Sequence, residues 1–193
     1  MKSLCKPIHP FIIVQKFGEN KACVSLDGKN TVVYCDGNNP PEGYQSIYGP
    51  TGHKGIDLKA SHGQQVYAAR GGKVEYIDTQ PRSGLDVRIV SDIDGVPHMH
   101  IYEHLLGHNV KVGDVVKVGD CIGWADNTGY SSGNHLHFEL RKWTPDGWIP
   151  VDPLPLFSEI FAPNITVVKG LVEQLARAIE SIVDILRSKG RKT

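Results

Sequence analysis

Between Gly52 and Asp152, short runs of β-branched, aromatic and aliphatic residues recur, separated by Gly, Asp and Ser: Val66 to Ala69, Lys73 to Asp78, Leu85 to Ser91, His98 to His104, Val115 to Val118, Cys121 to Trp124 and His135 to Leu140. Runs this short, broken this often, specify antiparallel strands joined by turns. Alternation agrees. Leu85, Val87 and Ile89 share one face, while Leu136, Phe138 and Leu140 share the face opposite His135, His137 and Glu139. The expected fold class is mainly β, an antiparallel sheet core over residues 49–153.

The flanks differ from this core. Residues 1–48 carry β-like runs at Phe11 to Val14 and Thr31 to Tyr34 among turn signals such as Asp27-Gly28 and Pro40-Pro41, a hairpin and loop extension rather than a second domain. Cys23 and Cys35 flank the first of these turns and are candidate disulfide partners, subject to demanding cross-strand geometry. Residues 154–193 form a linker and then an amphipathic helix over 166–188. Its seam is Val168, Val172, Leu175, Ile179, Ile182 and Leu186, spaced alternately four and three apart. Packing against the β domain, self-association through the seam and docking to a partner or anionic surface are the three roles open to it.

Charge removes several classes of function. Lys and Arg number 21 against 21 Asp and Glu, for a formal net charge of zero, so no bulk attraction draws the chain to nucleic acid. No apolar run reaches the roughly 18 residues of a transmembrane span, and the stretch at Phe11 to Val14 is too short for the core of an export signal. The four cysteines, at 5, 23, 35 and 121, contain no CxxC pair and so offer no four-cysteine zinc site.

The histidines carry the chemistry. Eight of the nine lie between positions 53 and 137, in or near three clusters: His53-Lys54-Gly55-Ile56-Asp57, His98-x-His100-x-Tyr102-Glu103-His104, and His135-Leu136-His137. Imidazole and carboxylate are zinc ligands, and a catalytic zinc keeps three protein ligands plus an open position. On a strand, the two histidines of the HxH segment project from one face about 6.5 Å apart, so one can bind a metal while its neighbour reaches what the metal activates. His53 and Asp57 would lie about 13 Å apart on an ideal strand. They can share an ion only if the chain bends, and Gly55 is placed to supply a bulge or sharp curvature.

His53-x-x-x-Asp57, Tyr102-Glu103-His104-Leu105 and Asn127 to Glu139 with its His135-Leu136-His137 core together resemble the signature of the lysostaphin/LytM-type zinc endopeptidases, which cut peptides of bacterial peptidoglycan. The resemblance runs from about Gly49 to Pro153. It implies the duplicated hybrid β motif of that family, one Zn²⁺ per chain held by His53, Asp57 and His137, and His135 with His104 as general base or as the group that stabilises the oxyanion. A zinc with two neutral imidazoles and one carboxylate can bring a bound water's pKa toward about 7, and a histidine with a pKa near 6.5 can then shuttle its proton.

Beyond that set, His98 and His100 alternate with Tyr102 and His104, so all four are expected on one side; the first two read as ordinary strand residues. Glu103 departs from the family pattern, where small residues are common, and on a regular strand it would point away from His104. Tyr44, Tyr48 and Tyr130 compete for a place beside the oxyanion. The loops Asn38 to Thr51 and Thr79 to Leu85 are expected to frame a groove along which an extended peptide lies.

The function implied is a zinc metalloendopeptidase of the cell wall, with peptidoglycan peptide as partner and action on the extracellular or periplasmic side. Lacking a recognisable signal peptide, it would arrive by a lysis apparatus or as part of a phage particle. The alternatives are a non-catalytic zinc- or peptide-binding assembly module of the same fold, and a peptidase for ordinary Gly-rich peptides.

Overall fold

The computed structural model describes residues 3–19, 22–24, 32–34, 52–161, 173–177 and 179–180. Among the described residues fourteen strands follow in order: β1 (Leu4–Lys6), β2 (Ile13–Gln15), β3 (Ala22–Val24), β4 (Val32–Tyr34), β5 (Ile56–Lys59), β6 (Gln64–Tyr67), β7 (Gly72–Gln80), β8 (Gly84–Ile93), β9 (Val96–His108), β10 (Val115–Val116), β11 (Cys121–Ala125), β12 (His135–Thr144), β13 (Gly147–Val151) and β14 (Phe157–Phe161). Ten of them form one antiparallel sheet. Its path runs β10-β7-β8-β9-β12-β5-β2, with β11 paired to β6 and β9, and β13 to β12. The mainly β, antiparallel architecture expected from the sequence is the one observed.

Local chemistry explains the long hairpins. Asp94 and Gly95, between β8 and β9, both adopt positive φ, 53° and 81°, the backbone that a tight two-residue hairpin turn needs and that Asp-Gly readily supplies. Alternation then sorts each strand. Leu136, Phe138 and Leu140 of β12 are fully buried beside Val87, Ile89, Tyr102 and Leu105 of β8 and β9, each worth roughly 1.5–3 kcal/mol of transfer free energy as a buried aliphatic or aromatic side chain. The Tyr102 hydroxyl, inside this core, accepts from the Ala69 N–H at 2.8 Å.

The N-terminal residues take part in the same body. β1 pairs in parallel with β14, Leu4 and Ile8 are buried in the core, and β2 pairs with β5 at the edge next to the histidines. Five strands, β1, β3, β5, β13 and β14, have no counterpart among the runs picked out in the sequence. Each is short, and β13 contains Pro150, which obscures its pattern.

Of the amphipathic C-terminal segment, residues 173–177 and 179–180 are helical, with Leu175 and Ile179 exposed. The rest of the seam lies outside the described residues. So do Cys35, Tyr44, Tyr48 and the loop from Asn38 to Thr51. No described helix is long and apolar enough to cross a membrane.

Candidate active site

Register across three neighbouring strands sets the floor of the site. His137 on β12 stands opposite Asp57 on β5 and opposite Glu103 on β9, so the three side chains form a row on the face away from the core. His53 joins from the loop before β5. The chain bends at Lys54-Gly55, and this turn, rather than a continuous strand, returns His53 to Asp57. Its backbone is pinned from both sides: His53 N–H donates to the Glu19 carbonyl at 2.8 Å, and Gly18 N–H donates to the His53 carbonyl at 2.8 Å.

The result is a triangle of ligand atoms. His53 Nε2 lies 3.2 Å from Asp57 Oδ1, His137 Nδ1 lies 2.8 Å from the same oxygen, and the two imidazole nitrogens are 3.0 Å apart. Ligands about 2.0–2.1 Å from a tetrahedral ion sit about 3.3–3.4 Å from one another, so expansion by a few tenths of an ångström admits one zinc ion. The donor set, two imidazoles and a carboxylate, leaves a tetrahedral ion one open position.

Hydrogen bonds at the far nitrogens orient the rings. His53 Nδ1 donates to the Lys16 carbonyl at 3.0 Å, His104 Nδ1 to the Thr128 carbonyl at 2.7 Å, and His135 Nδ1 to the Gly133 carbonyl at 2.7 Å. A carbonyl can only accept, so in each neutral ring the proton sits on Nδ1 and Nε2 keeps its lone pair. For His53 that lone pair faces the triangle. For His135 it lies 3.6 Å from Asp57 Oδ1, and the His104 ring stacks at a tilt against His135 with centroids 4.6 Å apart.

His104 reaches this place through a backbone irregularity. Between the partner pairs Val87↔Tyr102 and Leu85↔Leu105, β8 advances two residues while β9 advances three. The extra residue is a β-bulge, and His104 takes a left-handed φ of 63° within it. Ser83 and Asp126 hold it there through backbone hydrogen bonds at 2.9 and 3.0 Å. Bulges of this kind re-aim side chains beside active sites.

Two strand-based expectations fail here, because the bulge brings His104 to the face that Glu103 already occupies opposite His137. His104 does not share a side with His98, His100 and Tyr102: those three are buried away from the cleft, while His104 lines it. Glu103 does not point away either; it lines the cleft beside His104. Its carboxylate, His137 and Glu139 bring ligand atoms within 4.8 Å of one another.

Electrostatics follow from this crowding. Burial alone would raise the Asp57 carboxyl, but hydrogen bonds from His137 and His53 hold it far below the usual carboxylate range. Burial disfavours a charged His137, yet Asp57, Glu103 and Glu139 outweigh it and raise this ring to about 9. His104 is pushed down to about 4, first by burial and then by the His135 and His137 rings, which keeps it neutral at physiological pH.

Around the ligands, the cleft is walled by Gln80, Arg82 and Ser83 of the β7–β8 turn and by Tyr130, Ser131 and Ser132 of the loop before β12. The β7–β8 turn is one of the two loops expected to frame a groove. Gln15 and Arg141 complete the lining. Arg141 continues the alternation of His135, His137 and Glu139 and so was within reach of pattern reading. Gln15 had no sequence signal, because its place depends on β2 pairing with β5.

Comparison with known proteins bears on the same residues. The model of peptidase family M23 matches residues 51–153. The glycyl-glycine endopeptidase ALE-1 of Staphylococcus capitis is 40% identical over 126 residues, covering 61% of this chain and 34% of its own length. Lysostaphin of Staphylococcus simulans is 37% identical over 123 residues, covering 61% of this chain and 25% of its own length. The chain therefore spans about a third or less of these relatives. Among solved structures, the catalytic domain of lysostaphin from Staphylococcus simulans aligns with a TM-score of 0.54 at 28% identity over 75% of this chain and 90% of that domain. The catalytic domain of the prophage-encoded M23 protein EnpA from Enterococcus faecalis gives 0.53 at 27% identity over 77% of this chain and 94% of that one.

Proposed function

We propose, from the premise that this chain belongs to peptidase family M23, that it is a zinc-dependent endopeptidase that hydrolyses peptide bonds of bacterial peptidoglycan. One observation carries the reading: the triangle of His53 Nε2, Asp57 Oδ1 and His137 Nδ1, with a second pair of imidazoles beside it. His53, Asp57 and His137 are the proposed zinc ligands. Zinc bound there supplies a Lewis acid that polarises a peptide carbonyl and makes water nucleophilic near neutral pH.

The remaining chemistry belongs to the chain. His135 and His104, each with its proton held on Nδ1 by a backbone carbonyl, present free Nε2 lone pairs at the cleft. His135 Nε2, nearer the ligand triangle, is the proposed general base that takes a proton from attacking water and returns it to the leaving amine. His104 Nε2, with its lone pair facing the cleft in the neutral ring, is proposed to share the general-base role with His135. The cleft runs along β12, so an extended peptide can lie parallel to the strand.

Substrate class is supported by the likeness to lysostaphin and to a glycyl-glycine endopeptidase. Delivery by a phage belongs to the same proposal, and the likeness to a prophage-encoded M23 domain supports it. The test is digestion of purified peptidoglycan from Gram-positive and Gram-negative cells by zinc-loaded protein, with new termini identified by mass spectrometry. New amine and carboxyl ends that His135→Ala fails to make are the expected result; intact peptidoglycan of both kinds would overturn the reading.

A further inference from the structure

We infer that Glu103 is a positioning residue, the carboxylate that accepts the Nε2–H of His137 and so fixes the ring in the form that binds zinc through Nδ1. The inference rests on the ligand assignment above.

The other three site histidines each spend their far nitrogen on a backbone carbonyl: Lys16 for His53, Thr128 for His104 and Gly133 for His135. His137 is turned the other way. Its Nδ1 faces Asp57 and His53, so as a neutral ligand it must carry its proton on Nε2. A buried ring N–H needs an acceptor, and metal-bound imidazoles commonly donate to a carboxylate.

Two carboxylates lie nearby. Glu103 and Glu139 both place an oxygen within 4.8 Å of a His137 nitrogen. Glu139 is committed elsewhere, because Arg141 donates to both of its oxygens, at 2.8 and 3.0 Å. Asp86, the next acid along the face, is likewise gripped by Arg88 at 2.8 and 3.0 Å. Glu103 stands directly opposite His137 in the sheet register, which places it on the cleft face with His137 rather than on the core face with Tyr102. Position selects Glu103, as does the fact that, among the described residues, Arg88 and Arg141 spend their guanidinium hydrogen bonds on Asp86 and Glu139 and act on Glu103 through charge alone.

The test is zinc affinity of the full-length protein by competition with a chelator, for wild type, Glu103→Ala and Glu103→Gln. Removing such an outer partner weakens metal binding about 10–100-fold. Glu103→Ala is expected to show that loss, and Glu103→Gln, whose amide oxygen still accepts, to recover part of it. In the zinc-loaded wild type the Nε2 proton of His137 should give a slowly exchanging, downfield NMR resonance, and Glu103→Ala should lose it. Should Glu103→Ala fold poorly, Glu103→Gln and the wild-type resonance still decide. Zinc affinity of Glu103→Ala within twofold of wild type, or no protected His137 proton in the wild type, would overturn the inference. Failure of the peptidase reading looks different: tight zinc binding, sensitive to Glu103, without peptide cleavage.

Discussion

A β-carbon at Gly55 would lie 2.4 Å from the Phe138 carbonyl oxygen and 2.8 Å from His137 Nε2. Glycine is needed there because β12 passes too close for any side chain, and this close approach lets His53 fold back onto Asp57. Gly55→Ala must push β5 from β12 or tilt His137. Overpacking against backbone costs about 1–3 kcal/mol. Urea unfolding should therefore show a lower midpoint with an unchanged slope, together with weaker zinc binding. A midpoint equal to wild type would show that the site does not depend on this approach.

Zinc and a proton compete for His137 Nδ1. The ring titrates at about 9, and Asp57, Glu103 and Glu139 are what raise it against the opposing effect of burial. Below that pH a metal must displace the proton, so affinity should rise about tenfold per pH unit between pH 6 and 8 and level off above 9. Chelator competition at several pH values measures the slope. An affinity flat across this range would contradict the coupling of His137 to Asp57.

His104 and His135 should be separable from the ligands. Replacing either by Ala is expected to lower kcat by about 10²–10⁴-fold, the span of general acid–base catalysis, while leaving one zinc per chain by elemental analysis. Loss of zinc in either variant would move that residue into the ligand set.

His100, outside the cleft, gives the fold its own pH sensitivity. It is fully buried, Ser91 Oγ lies 2.7 Å from its Nε2, and its Nδ1 has no hydrogen-bond partner among the described residues. Burial, with the nearby His98 and Arg70 charges, lowers it from 6.5 to about 3. The unfolded chain binds this proton first as pH falls, so the neutral form's stability is fully present above about 6.5 and is lost between there and about 3. The slope is about 1.4 kcal/mol per pH unit for one group. Denaturant unfolding between pH 4 and 7 should be shallower in pH for His100→Gln than for wild type. Equal slopes would rule out this role.

Much of the fold was legible because alternation is a local signal. Leu136, Phe138 and Leu140 against His135, His137 and Glu139 fix which way β12 faces whatever its neighbours are. The resemblance carried by His53, Asp57, His104, His135 and His137 led to five side chains that the sheet brings into one cleft. What stayed hidden depends on contacts distant in sequence. The one-residue bulge on β9, which turns His104 into the cleft beside Glu103, arises from pairing with β8 and leaves no mark in the order Tyr102-Glu103-His104-Leu105. The carbonyls of Lys16, Thr128 and Gly133 that set the ring tautomers are backbone atoms, which every residue carries, so no side-chain pattern announces them. The role of Gly55 was anticipated as curvature, but its cause is the space taken by Phe138.

Titrating zinc into metal-free protein while following hydrolysis of a peptidoglycan peptide tests the central claim most directly. The account predicts activity that rises linearly and saturates at one zinc per chain, with Asp57→Ala inactive at every zinc concentration. Full activity before zinc is added, or one tightly bound zinc with no hydrolysis of any wall peptide, would contradict it.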